Sequence, residues 1–198
     1  MCGGIVTEKE YFQYIRKQLH STGLDIVIES QGVNPSRLHN LAVDLRKIDS
    51  EEAKASNDSE NVYKEVWVIT DVDHFASELV QLAQRKDAGV NFGISNPCFE
   101  VWLVIHDESY SRPCESADIQ ERAKARGVII KGSDKNIDLS KITGKFIAAE
   151  ERAQRLRESH RSARSAFPSD TPSTNVDVLI RALISSAEKS NPDFVHSL

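Results

Sequence analysis

Val66-Trp67-Val68-Ile69-Thr70-Asp71-Val72-Asp73 is the stretch on which the reading of this chain turns. Val66 to Ile69 is an unbroken apolar run between the charged pair Lys64-Glu65 and an acidic cluster, the pattern of a short strand covered on both faces of a sheet. Side chains alternate along an extended chain, so Asp71 and Asp73 project the same way if strand geometry persists through them. The carboxyl end of a strand is where open α/β sheets bind ligands. Two adjacent carboxylates repel, which raises a pKa unless a cation neutralises them, and an oxygen-ligated divalent metal is the usual solution. The same residues also admit a structural reading, in which Thr70 or Asp73 caps the next helix and Asp71 is a solvated loop residue.

On the C-terminal side, Phe75, Leu79, Leu82 and Ala83 recur at helical spacing over 75–86, and Val90 to Ile94 reads as a second strand. This βαβ alternation calls for a parallel sheet. On the N-terminal side, Asp49 to Asn61 is polar and small and is expected to be a loop. Before it, Asn34-Pro35 is a helix start, with Leu38, Leu41, Ala42, Leu45 and Ile48 as the buried stripe. Leu24 to Glu29, with Ile26, Val27 and Ile28, reads as another strand. The opening places a Gly3-Gly4 loop before a helix over 8–21 that buries Tyr11, Phe12, Ile15 and Leu19, with Thr7 and Glu10 as a capping box.

Past the second strand, Asn96-Pro97 marks a helix start, and Cys98 to His106 is apolar nearly all round, which implies a buried helix. Glu100 lies within that run. A buried carboxylate needs a partner or a shifted pKa, so Glu100 is a candidate site residue; the alternative is a surface glutamate favoured by the helix dipole. Beyond residue 110 the βαβ rhythm stops, which divides the chain into an α/β core over 1–110 and a helical extension over 111–198. The extension reads as a charged helix over 115–126, a loop over 132–144, a long helix over 146–164, a Ser/Pro linker over 165–172, a helix over 175–186 and a loose tail. Arg157, Arg161 and Arg164 share a face by spacing and could meet phosphates; Glu150, Glu151 and Glu158 offer the alternative of a solvated, ion-paired face.

Composition excludes several classes. Apolar content is 39%, charged content 28% and mean hydropathy -0.41, an ordinary water-exposed balance. No run is long enough to span a bilayer and the start lacks a signal-type core, so a cytoplasmic location is expected. The net charge of -5 argues against attraction to nucleic acid over the whole surface but leaves room for a local basic face. Cys2, Cys98 and Cys114 form no C-x-x-C pair, and the histidines lack zinc-site spacing.

Three segments together resemble the RloB-like family, also known from AbiLii-type abortive infection proteins. They are Cys2-Gly3-Gly4-Ile5-Val6-Thr7-Glu8 with Tyr11-Phe12, the strand ending in Asp71-Val72-Asp73, and Ile94-Ser95-Asn96-Pro97-Cys98-Phe99-Glu100-Val101-Trp102-Leu103 leading to His106. Lys135-Asn136 and Pro172-Ser173-Thr174-Asn175-Val176 add to the likeness. The resemblance implies a Toprim-like, mostly parallel α/β sheet flanked by helices. It also implies a Mg²⁺- or Mn²⁺-dependent nuclease in antiviral defence that works with a partner ATPase. Carried over by position, Asp71 and Asp73 are the expected metal ligands, with Glu8 and Glu100 as further acidic members. Arg157, Arg161, Arg164 and Lys135 are the candidate nucleic-acid contacts. The chain departs from the family opening at Gly3, where the family has glutamate, and it lacks the apolar strand the resemblance expects before Cys2. That departure supports an alternative, a catalytically degenerate interaction subunit of a defence ATPase. A third possibility from the residues is a phosphate site at Gly3-Gly4 and Thr7.

Overall fold

The alternation of strand and helix around Val66 builds a mixed α/β sheet with helices on both faces. The computed structural model describes residues 1–57, 62–85, 89–133, 135–194 and 198. Strand β1 (Val66–Asp71) pairs in parallel with β2 (Val90–Asn96), in a register running from Val66 opposite Val90 to Asp71 opposite Ser95. A two-residue strand, β3 (Ser173–Thr174), closes the far side of β2 antiparallel. The crossover between β1 and β2 carries helix α3 (Ala76–Ala83), which buries Leu79 and Leu82; Phe75 and Ala83, expected in the same stripe, stay exposed. Gly93 is needed at its place in β2, because a Cβ there would come within 2.6 Å of the Ile69 side chain on the neighbouring strand.

On the other edge of β1, three residues stand where a strand would run. Met1 donates its ammonium to the Trp67 carbonyl at 2.6 Å, Ile69 N–H reaches the Met1 carbonyl at 2.8 Å, and Gly3 N–H reaches the Ile69 carbonyl at 2.9 Å. Cys2 turns its backbone the opposite way, to the Glu29 carbonyl at 2.7 Å and the Gln31 N–H at 3.3 Å. Cys2 thus bridges Ser30 and Ile69 in parallel. The predicted strand over 24–29 is extended and alternates half-buried Leu24, Ile26 and Ile28 with exposed Asp25, Val27 and Glu29. It has the pattern of a strand, but hydrogen-bonds to a neighbour only at its end.

Helix α1 (Thr7–Leu19) buries Tyr11, Phe12, Tyr14, Ile15 and Leu19. The capping box predicted for it does not form. Thr7 Oγ1 donates instead to the Lys135 carbonyl at 2.9 Å, and Glu10 accepts from Ile137 N–H at 2.9 Å, so both residues hold a distant loop. Helix α2 (Pro35–Ser56) starts as expected, with the Asn34 side chain accepting from Arg37 N–H at 3.0 Å. It runs through the stretch expected to be a loop as far as Ser56. Glu51, Glu52, Ala53, Lys54 and Ala55 are good helix formers that need no buried face, and Lys47 and Glu51 form an i,i+4 pair at 4.0 Å. The rest of that predicted loop, 58–61, lies outside the described residues.

Helix α4 (Glu100–Asp107) is covered on every side, with Glu100 through His106 all buried. It is surrounded by α1, α5 (Ser116–Ala125) and α6 (Phe146–Ser162), and Trp102 makes edge contacts with Tyr11, His106 and Phe146. The residues beyond 110 share this core and supply β3 to the same sheet. Asn175 extends the sheet further by imitating a strand: its Oδ1 accepts from Ile94 N–H at 2.6 Å and its Nδ2 donates to the Phe92 carbonyl at 3.0 Å. Helix α7 (Val176–Ser190) outlasts its predicted end at 186, and Leu198 packs into the main core, so the tail is anchored rather than loose; residues 195–197 lie outside the described residues. No helix among the described residues is long and apolar enough to cross a membrane.

Two ion pairs tie α6 to α7. Arg157 grips Asp177 with both terminal nitrogens at 2.7 Å and also bonds the Thr174 carbonyl; Arg181 holds Glu150. The Asp177 side chain is 3% exposed, so truncating Arg157 leaves a buried charge without its partner. Arg157→Ala is expected to lower the unfolding free energy by about 3 kcal/mol, read from the urea midpoint, whereas Arg155→Ala, at an exposed i,i+4 pair, should cost less than about 0.5 kcal/mol.

Candidate functional site

The chain turns away from the sheet at the carboxyl end of β1. Asp71 stands opposite Ser95, but Asp73 adopts a φ of 30° and gives its N–H to the Pro97 carbonyl at 2.9 Å. Extended geometry therefore stops before Asp73, and the two aspartates do not continue one alternating row. Asp73 is exposed at the rim. Its Oδ1 accepts from Ser116 Oγ at 3.0 Å, and His74 Nε2 lies 3.7 Å from its Oδ2. Asp71 retains some exposure as a residue, yet its Oδ1 is closed off from solvent and has no hydrogen-bond partner.

Three other carboxylates act on Asp71. Burial, then the charges of Glu8, Glu100 and Asp73, push its pKa well above the ordinary carboxylate range, against a backbone hydrogen bond from Phe99. Glu8 comes from the first turn of α1 and Glu100 opens α4; both are buried. Burial also raises the Glu8 pKa, with the Glu100 charge adding to it, while hydrogen bonds from the Glu8 and Gly4 N–H groups and the charge of Lys135 oppose the shift. The Glu8 carboxylate curls back over Gly4 so closely that a Cβ there would sit 1.7 Å from its Oε2. Gly4 thus makes room for an acid, and of the N–H groups expected to hold a phosphate at Gly3-Gly4, that of Gly4 already serves Glu8 and that of Gly3 the Ile69 carbonyl. The Cys98 thiol is pushed up by burial and by the neighbouring Glu100 charge and is held protonated.

The fold brings Glu8, Asp71 and Glu100 into one electrostatic neighbourhood and sets Asp73 at its edge. Lys135 joins them through the Thr7 and Glu10 bonds that dock residues 135–137 on α1. Arg157 is engaged with Asp177, away from any ligand role that needs a free guanidinium. Arg161 is exposed on the last turn of α6, and Arg164 lies beyond the helix in a left-handed conformation. Ser116, which orients Asp73, has no local sequence signal because it lies 43 residues away.

These residues fall in segments that match a known protein family. The family described as RloB-like protein matches residues 1–183. The chain belongs to the RloB-like family. Comparison with curated proteins finds no match, nor does comparison with solved structures. In this RloB-like protein, a Cβ added at Gly3 would meet Ile69 O at 3.5 Å and Thr70 Oγ1 at 3.8 Å, ordinary contact distances.

The donor chemistry suits a hard divalent cation: an orphaned Asp71 Oδ1 and a concentration of carboxylates with one lysine near them. Among the described residues, no three His, Cys, Asp or Glu side chains are grouped to hold a metal ion as they stand. Because the Asp71 pKa is raised on folding, its charge costs nothing below its unfolded pKa, and the cost grows as pH rises toward the folded value. Asp71→Asn is accordingly expected to raise the thermal midpoint at pH 7.5, by about 2–4 °C for each kcal/mol of repulsion relieved at this chain length. The gain should shrink as pH falls toward 4; a pH-independent difference would remove the repulsion from the account.

Proposed function

We propose that this RloB-like protein has a Toprim-like core and acts as a Mg²⁺- or Mn²⁺-dependent nuclease in antiviral defence, alongside a partner ATPase. The observation that carries the reading is the partnerless Asp71 Oδ1 at the carboxyl end of β1, on a carboxyl group that feels the charges of Glu8 and Glu100. Asp71 is the first ligand, with Glu100 or Glu8 as the second and Asp73 reaching in from the rim. A divalent cation there supplies charge neutralisation and a nucleophilic water for phosphodiester hydrolysis. Glu8 has to leave its fold-back on Gly4, and Asp73 its bond to Ser116, to take part. In this reading Lys135, whose charge acts on Glu8, holds a phosphate oxygen of the substrate, a role the Asp177-bound Arg157 does not share.

A second reading, a non-catalytic subunit that keeps the fold and binds the ATPase, is favoured by Gly3. A Cβ at Gly3 would make only ordinary contacts, which makes the choice testable. With single- and double-stranded DNA and RNA as substrates, cleavage should need Mg²⁺ or Mn²⁺. It should fall at least about 100-fold in Asp71→Ala and Glu100→Gln, the loss typical of removing a metal ligand. Gly3→Glu should raise cleavage. If only Gly3→Glu cuts, the natural chain is the non-catalytic subunit; if neither cuts and calorimetry finds no Mn²⁺ binding, the nuclease reading fails.

A further inference from the structure

The loop that joins α6 to β3 is fastened on the Asp73 side of the site. We infer that this loop and the first turn of α3 form a ledge for single-stranded nucleic acid, with bases stacked on Phe75 and Phe167 and phosphates held by Arg161 and Arg164. The inference rests on the reading of the Asp71 site as one that cuts phosphodiesters, and adds that the strand arrives unpaired.

Hydrogen bonds fix the ledge beside the carboxylates. Asn96, the last residue of β2, donates from Nδ2 to the Pro168 carbonyl at 2.9 Å and to Asp170 Oδ1 at 2.8 Å. The next residue, Pro97, accepts from Asp73 N–H. Thr171 Oγ1 donates to the Cys114 carbonyl at 3.0 Å, two residues before the Ser116 that holds Asp73. The loop also closes on itself: Ser165 Oγ reaches the Ser169 carbonyl at 2.8 Å, and Ser165 N–H the His160 carbonyl at 2.9 Å. Arg161 and Arg164 therefore stand at the neck of a fastened turn.

The rings lie along the same border. Phe167 packs against the cluster of Val72, Leu79 and Leu82 and stays half-buried. Phe75 opens α3 one helical turn before Leu79 and is 36% exposed. Val72 ties that cluster to the site, because it stands between Asp71 and Asp73. Exposed aromatic faces stack unpaired bases, whereas the bases of a duplex are already stacked on one another.

Charge points the same way. Arg155 and Arg157 are paired with Glu151 and Asp177, but Arg161 and Arg164 are exposed and form no ion pair among the described residues. A protein that grips a duplex by its backbone neutralises about six to ten phosphates. Two free guanidiniums on a chain of net charge -5 fall short of that, so stacking has to supply much of the affinity.

The test is fluorescence anisotropy on the full chain in EDTA, where nothing is cut. The probes are a labelled oligothymidylate of about twenty nucleotides, the matching oligouridylate, and the oligothymidylate paired with its complement. An unpaired strand should bind at least about tenfold more tightly than the duplex, and Phe75→Leu and Phe167→Leu, which keep apolar bulk, should each weaken it about tenfold. Phe75→Trp should keep the affinity, and the bound strand should quench the added emission. Arg161→Gln with Arg164→Gln should lower the slope of log affinity against log salt by about 1.4, two phosphates' worth for a single strand. Equal binding of single strand and duplex, or indifference to both rings, would overturn the ledge; no saturable binding by any probe would also overturn it and leave the rings to a protein partner. Cleavage that needs Asp71 but ignores both rings would overturn the ledge and keep the nuclease reading, whereas ring-dependent binding by a protein that never cuts would do the reverse.

Discussion

The parallel ladder between β1 and β2 is the constraint on which the rest of the structure depends. Its six-residue register brings the carboxyl ends of both strands to the same level, Asp71 against Ser95. Everything chemically interesting lies within a few residues of that level: Asp73 through its bond to Pro97, Glu100 through the short turn into α4, and Glu8 through the Met1–Gly3 segment hydrogen-bonded to Ile69. A slip of one residue would turn Asp71 to the opposite face and dissolve the cluster.

The cluster runs against stability, and the surrounding fold absorbs the cost. The Asp71 and Glu8 carboxyl groups are withdrawn from solvent beside like charges, and both pKa values are raised as a result. Helix α4 behind them is covered on all sides and pinned at its C-terminal end by Arg152, which donates to the Ile105 and His106 carbonyls at 2.7 and 3.0 Å. An apolar, rigid backing keeps the carboxylates from separating into solvent and lowers the dielectric around them. Electrostatic repulsion of this kind is held in place by the well-packed core around it.

The segment beyond residue 110 takes part in building the sheet. The Ser173–Thr174 pair and the side chain of Asn175 close the free side of β2, and the Arg157–Asp177 pair fastens that closure to α6. The loop around Lys135 is held on α1 by residues that a local reading assigns to helix capping. The α/β core and the helical extension named from the sequence therefore share one hydrophobic core and one sheet.

The sequence by itself determined the elements with strong local physics: the apolar run at Val66, the Asn34-Pro35 helix start, the buried helix after Pro97, and the family, carried by three motifs. It also named Asp71 and Glu100 as acids of interest, because carboxylates at a strand end or inside an apolar run are chemically conspicuous, and Glu8 through the family resemblance. Only the tertiary structure decided how they are arranged. Asp73 leaves the row because a turn bonded to Pro97 overrides strand alternation, and Glu8 folds back over Gly4 because that residue lacks a Cβ. Arg157 shares a helical periodicity with Arg161, but periodicity cannot reveal that Asp177 waits on another helix. Local patterns report which face of an element is apolar; which distant groups meet there is set by packing, and that information is spread over the whole chain.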